Sequence, residues 1–117
     1  MFPRVYRTLR TAEVIAIVSD RIARHGEIDQ DERRPYVVWQ IVTGQPHDQL
    51  SGPPTSDFTT VQIDCYHEED EGIEELALAV RAALDAALIV NRVSMNVRDP
   101  DTRLYRVSID ADFIEHR

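Results

Sequence analysis

The sequence of 117 residues has no lysine, only one cysteine and no long uninterrupted hydrophobic run. Cys65 has no second cysteine to pair with, so an internal disulfide is excluded and nothing requires an oxidising compartment. The longest apolar-rich stretch, Ala77–Val90, is interrupted by Arg81 and Asp85, which excludes a membrane-spanning helix there. We therefore expect a protein that is made and kept in a cytoplasm and has no membrane contact.

Positive charge is also scarce. Thirteen arginines stand against 21 acidic residues, which gives a formal net charge of -8. Proteins that bind nucleic acid concentrate Arg and Lys on one face, so this balance argues against a surface that follows a phosphate backbone. We expect no sequence-specific nucleic-acid binding. Because every basic residue is an arginine, each cationic contact can be bidentate to a carboxylate.

The length and composition are those of one globular domain. Hydrophobic residues make up 43% and charged residues 29% of the chain, which are ordinary values for a soluble domain. A chain of this size can build one hydrophobic core without disulfides. We therefore predict a single domain over residues 1–117.

The segment Pro35–Gly44 is the clearest strand in the sequence, because β-branched and aromatic residues are dense in it. Alternation divides its apolar side chains between two faces, with Val37, Trp39 and Ile41 on one and Tyr36, Val38 and Val42 on the other. We predict a central strand that needs cover on both faces. Helices would cover one face, and another element, such as a partner subunit, would cover the other.

The remaining elements follow from periodicity. Helical spacing predicts a short helix over Phe2–Ala12 and, starting at Thr11, another turn or two that end at Ile22. Polar composition predicts a loop over Arg24–Arg34. Apolar spacing predicts a helix over Ile73–Leu88. Alternation predicts three further strands, over Phe58–His67, Val93–Val97 and Tyr105–Phe113.

These elements combine into an α+β fold, with a mainly antiparallel sheet of about four strands and two helices packed on one face. Val61, Ile63 and Cys65 are expected to face the core. Alternation also places Val93, Met95 and Val97 together on one face.

The connection Gln45–Asp57 is long and contains three prolines, one glycine and the isolated apolar residue Leu50. Ordering such a segment costs conformational entropy that some contact must offset. We therefore predict a contact element at the tip of a hairpin. The alternative is a passive tip.

No convincing catalytic centre is present. The four histidines, His25, His47, His67 and His116, lack the spacing of metal ligands, and His67 beside an acidic helix start comes nearest. Asp110 and Asp112 share an outward strand face, and with a nearby histidine they support one alternative, a small metal-dependent enzyme or ligand-binding domain. We expect a solvated strand face instead, with no catalytic residue, cofactor or metal.

Several stretches resemble the tail completion family of long-tailed bacteriophages and prophages. They are Pro35–Gln40, Gly52–Pro54, Val61–Tyr66, the helical segment Leu76–Leu84 and the short motif Asp20–Ile22. The resemblance extends from about Val5 to Phe113. The family includes tail-to-head joining proteins and is similar in fold to the lambda-type tail terminators.

The resemblance implies a structural protein, not an enzyme. Its members are small α+β subunits that close into a ring, typically of six copies, at the head-proximal end of the tail tube. The implied partners are further copies of the chain, the tail tube protein and a head-connector protein. The implied location is the virion tail, with the host cytoplasm during assembly.

Under this interpretation the long loop and the second sheet face supply the contacts, and four loop residues are the candidate partner interface: Gln45, His47, Gln49 and Leu50. A prophage remnant with no surviving tail to complete is the remaining alternative.

Overall fold

A computed structural model describes residues 4–29, 32–46 and 56–116, and describes side chains for residues 4–29, 32–42 and 59–114. In these ranges the chain forms three helices and five strands. The helices are α1 (Val5–Leu9), α2 (Ala12–Val18) and α3 (Asp70–Ala86). The strands are β1 (Ile22–Arg24), β2 (Tyr36–Pro46), β3 (Ser56–His67), β4 (Val90–Arg98) and β5 (Tyr105–His116).

The strands form one sheet in the order β1-β2-β3-β5-β4. β1 is parallel to β2, and the other neighbouring pairs are antiparallel. The predicted α+β class is confirmed, with one strand more than expected. The strand predicted as central, β2, does lie inside the sheet, between β3 and the three-residue β1, although β3 is the middle strand.

The predicted N-terminal helical segment forms two helices, α1 and α2. Thr11 begins α2, and its Oγ1 accepts a hydrogen bond from the Val14 N–H at 3.5 Å. Ile22 does not end a helix as predicted but lies in β1 opposite Val37. Ser19, with a φ of 56°, turns the chain after α2. A strand of three residues is too short to show alternation, so periodicity missed it.

The hairpin of β2 and β3 is longer than predicted. Its pairing reaches from Tyr36 opposite Tyr66 to Pro46 opposite Asp57. Both strands therefore extend two residues into the connection that the sequence predicts as a loop, and residues 47–55 lie outside the described ranges.

A β-bulge in β4 changes the predicted faces of that strand. The register shifts between Val93, which is opposite Ile109, and Met95, which is opposite Ser108. One extra residue moves the side chains that follow it to the other face of the sheet. The prediction that Val93, Met95 and Val97 share one face is therefore wrong.

The core lies between the helices and one face of the sheet, which we call the covered face. Its helical side chains are Val5, Leu9, Val14, Val18, Ile73, Leu76, Val80 and Leu84. Its strand side chains include Val37, Val61, Ile63, Cys65, Val107, Ile109 and Ala111. The predicted inward positions on β3 are therefore confirmed. Burial raises the pKa of the Cys65 thiol well above its ordinary value, so Cys65 packs as a small apolar residue.

α3 ends before the predicted position. The Ile89 N–H donates to the Leu84 carbonyl at 2.9 Å and the Leu88 N–H donates to the Asp85 carbonyl at 3.0 Å, which is a Schellman motif. Leu88 occupies the left-handed position with a φ of 60°. It is 92% exposed, so the prediction that it lies on the buried face of the helix is wrong.

We predict that Leu88→Gly raises the free energy of unfolding by about 1 kcal/mol, because a left-handed backbone strains every L side chain and favours glycine. Little burial is lost, since the Leu88 side chain is in solvent. Urea denaturation measures the change. The matched control is Ala87→Gly at a φ of -88°, where glycine relieves no strain and should lower stability. A loss of stability in Leu88→Gly would show that the side chain makes a stabilising contact.

Candidate functional site

The sheet face opposite the helices, which we call the outer face, carries polar side chains that are buried. Asp64 is 3% exposed and Ser108 is 1% exposed. The sequence predicts a solvated, charged surface here, and at these two positions that prediction is wrong. Asp64 on β3 is directly opposite Ser108 on β5, in a pairing that has no register shift. Side chains of the neighbouring strands can therefore cover both residues.

Asp64 is the centre of a hydrogen-bond network. Its Oδ1 accepts hydrogen bonds from the Ser108 Oγ and, at 3.1 Å, from the Gln62 Nε2. Its Oδ2 accepts from an Arg106 guanidinium nitrogen at 3.3 Å. A buried carboxylate is tolerated only when it is paired and hydrogen-bonded in this way. The network can therefore stabilise the fold, and it leaves Asp64 no free oxygen for chemistry.

Two tyrosines extend this surface. The rings of Tyr36 and Tyr66 stack with their centroids 4.7 Å apart. The Arg106 guanidinium carbon lies 6.0 Å from the centroid of the Tyr66 ring. Burial raises the pKa of Tyr66 to about 12, so its hydroxyl is protonated at neutral pH and serves as a neutral hydrogen-bonding group.

Asp110 and Asp112 are both engaged by side chains of neighbouring strands. Asp112 is paired with Arg92 at 3.1 Å and accepts a hydrogen bond from Thr60 at 3.0 Å. Asp110 accepts a longer one, 3.4 Å, from Ser94. Across the described parts of the chain, no group of three or more His, Cys, Asp or Glu side chains is placed to hold a metal ion.

His67 has a structural role that the sequence did not indicate. Its Nδ1 accepts a hydrogen bond from the Glu69 backbone N–H at 3.0 Å, just before α3. Its ring lies against Gly72, where a Cβ atom would overlap it. Gly72 in the first turn of a helix is therefore explained by the close approach of this ring.

The predicted partner residues fall at the tip of the β2–β3 hairpin. The backbone of Gln45 pairs with Phe58 in the ribbon. The Gln45 side chain, and all of His47, Gln49 and Leu50, lie outside the described residues. Their role in contacts stays a prediction.

Exposed apolar side chains concentrate on β4 and beside it. The sequence did not indicate this surface, because the predicted alternation places the apolar side chains of β4 together on one face. They are Leu88, Val90, Val93, Met95, Val97 and Ile114. β4 is nine residues long and stands at the edge of the sheet, with β5 on one side and no described strand on the other. Long apolar edge strands are surfaces on which other chains pair or pack.

Comparison with known proteins identifies the class. The sequence matches the family described as tail completion protein gp17 over residues 3–116. The chain belongs to this tail completion family. Its members are structural phage tail proteins, so this tail completion protein is a structural component of the tail and not an enzyme. The family resemblance stated above is confirmed, and the alternative of an enzyme built on Asp110 and Asp112 is wrong.

A solved structure has the same fold as this tail completion protein. A chain of the "virion of native gene transfer agent (GTA) particle" matches with a TM-score of 0.68 and 16% identity, over 97% of this chain and 92% of that chain. At this identity the likeness shows the fold alone. A search of curated proteins found no match. None of the described helices has the length and apolar character needed to cross a membrane.

We predict that Asp64→Ala lowers the free energy of unfolding by about 3 kcal/mol, because it leaves the buried Ser108 hydroxyl and the partly buried Arg106 guanidinium without their acceptor. The matched control is Asp110→Ala, on the neighbouring strand of the same face. Among the described side chains, Asp110 has a single hydrogen bond, and it is long at 3.4 Å, so removal of the carboxylate should cost less than about 1 kcal/mol. Urea denaturation measures the free energy of unfolding of both variants, and equal losses of stability would contradict a central role for Asp64.

Proposed function

We propose that this tail completion protein forms a ring at the head-proximal end of the tail tube, terminates the tail and joins it to the head. Copies of the chain, the tail tube protein and a head-connector protein are the proposed partners. The exposed apolar surface on and beside β4 is the observation that carries the proposal. The family supplies the setting, since its members are phage tail proteins.

The exposed apolar side chains of the edge strand β4 are explained if another protein covers this edge during assembly. Met95 and Val97 project from the outer face, where they are opposite Ser108 and Arg106, whereas Val93 is on the covered face. Apolar atoms are therefore exposed on both sides of one unprotected strand. Each square ångström of apolar surface that a neighbour removes from water contributes about 25 cal/mol. In a free monomer the same edge would promote uncontrolled pairing.

The acidic charge is compatible with a ring. Each copy carries a formal charge of -8, yet two unit charges one Debye length apart, about 10 Å, repel by only ~0.4 kcal/mol in water before screening. Apolar contacts can outweigh this repulsion. Since phosphate binding requires an excess of Lys and Arg, an acidic ring would also let DNA pass without retaining it.

The hairpin tip is the second proposed contact. β2 and β3 pair out to Pro46 and Asp57, so they carry the tip on a continuous two-stranded ribbon. A ribbon of this kind can reach a neighbour beyond the body of the subunit. Leu50 and the polar residues around it would then supply the contact.

We predict that Met95→Asp reduces head-to-tail joining at least about tenfold, because burying an unpaired carboxylate costs several kcal/mol. Extracts that contain tails and filled heads but lack this protein provide the test. Purified variants are added, and joined particles are counted by electron microscopy. The control is Met95→Leu, which keeps the apolar character and should join particles at the wild-type level. If a folded Met95→Asp variant joins heads and tails normally, this surface is not an assembly contact.

The same extracts test the hairpin tip. Replacing Gln45, His47, Gln49 and Leu50 together by alanine should reduce joining, since the side chains of the proposed contact are removed while the paired ribbon is kept. Native mass spectrometry of the variant measures ring formation separately. If both ring formation and joining are unchanged, the loop is a passive tip.

A further inference from the structure

A groove of about 380 Å³ separates the N-terminal part of α3 from β4 on the covered side of the sheet. The buried side chains of Ile73, Ala77 and Val107 contribute to its base. Leu78, 62% exposed, and Val93, 46% exposed, stand at its opening. Apolar side chains exposed around a concave surface are typical of a docking site.

The groove is bordered by unpaired acidic side chains. Asp70 and Glu74 line it, and neither forms a salt bridge within the described ranges. Arg81 is the one cation among its lining residues, and its Nε donates to the Asn91 Oδ1 at 2.8 Å, which ties α3 to β4. An occupant of the groove therefore needs positive charge as well as an apolar group.

The exposed side of α1 has this composition. Tyr6 and Arg7 are exposed on the helix, and Arg4 and Arg10 are exposed at its two ends. No acidic residue occurs from Arg4 to Ala12. Tyr6 is 39% exposed, and the Arg10 guanidinium lies 6.0 Å from the centroid of its ring. None of the three arginines has a salt bridge in the part of the chain that is described. Tyr and Arg together are the residues that most often dominate protein interfaces.

The two surfaces lie on different sides of α3. α1 contacts α3 and β1, the strand at one edge of the sheet, whereas the groove lies between α3 and β4, the strand at the other edge. When two copies join through unlike surfaces, one surface of each kind remains free. Such head-to-tail contacts add further copies, and they close into a ring when the rotation between copies allows it.

We infer that α1 of one copy docks in the α3–β4 groove of the next copy. This inference rests on the ring proposed above and names the contact that builds it. The arginines of α1 pair with Asp70 and Glu74, and Tyr6 packs against Leu78 and Val93. A second copy is the occupant because the chain itself presents the complementary charge and the exposed aromatic ring. The attraction is local, so it steers copies together despite their net repulsion.

Two charge-reversed variants test the contact. Arg4→Glu/Arg7→Glu reverses α1, and Asp70→Arg/Glu74→Arg reverses the groove. Each variant alone should associate at least about tenfold more weakly than the wild type, because like charges then meet at the contact. Native mass spectrometry of the free chain, and cross-linking of the chain bound to tail tubes, measure the oligomers. Circular dichroism confirms that each variant is folded.

An equimolar mixture of the two variants tests directly whether α1 and the groove contact each other. Each reversed surface then finds a complementary one on the other variant, so oligomers larger than dimers should return. The matched control is Asp20→Arg/Glu27→Arg, which makes the same change of charge in exposed turns outside the groove and should associate at least as well as the wild type.

The outcomes separate this contact from the ring itself. If the wild type forms oligomers and both reversed variants form them equally well, the ring stands and the α1 contact is wrong. If the mixture yields dimers only, the head-to-tail arrangement is wrong. If the wild type forms no oligomer, either free or on tail tubes, the proposed ring fails together with this contact.

Discussion

The packing of α3 across β3, β5 and β4 is the contact on which the rest of the structure depends. It buries the apolar side chains of the covered face, and with them most of the hydrocarbon that drives folding. Because α3 lies toward β4, the smaller helices α1 and α2 take the other side of the covered face, next to β1. This division leaves two unlike edges, one short and flanked by arginines, the other long, apolar and bordered by carboxylates.

The outer face is held together by different forces. No described helix covers it, yet Asp64 and Ser108 are buried there because side chains from neighbouring strands satisfy their polar groups. Such a network needs exact partners, since an unpaired buried charge is costly. It therefore fixes the register of β3 against β5 more specifically than apolar packing can.

The difference between the two edges suits a protein that acts through assembly. A subunit with identical edges would pair into closed dimers, whereas unlike edges allow a series of identical contacts. β4 adds an edge strand with exposed apolar side chains and with no described strand on its outer side, and such an edge promotes pairing with other chains. Leu88, which is 92% exposed at a φ of 60°, adds to the exposed apolar surface beside β4.

Local patterns in the sequence were enough to determine the α+β class, the paired strands β2 and β3, the inward positions of β3 and the helix α3, because each depends on the spacing of neighbouring residues. The family was indicated by the resemblance of several stretches to tail completion proteins, and the family match over residues 3–116 confirmed it. Tertiary structure alone decided the rest. β1 is too short to show a period, the bulge in β4 reverses its faces without changing its composition, and the burial of Asp64 depends on Arg106 and Ser108, 42 and 44 residues away. The contrast between the basic α1 and the acidic groove also arises only on folding, because the local spacing of residues does not show which distant side chains share a surface.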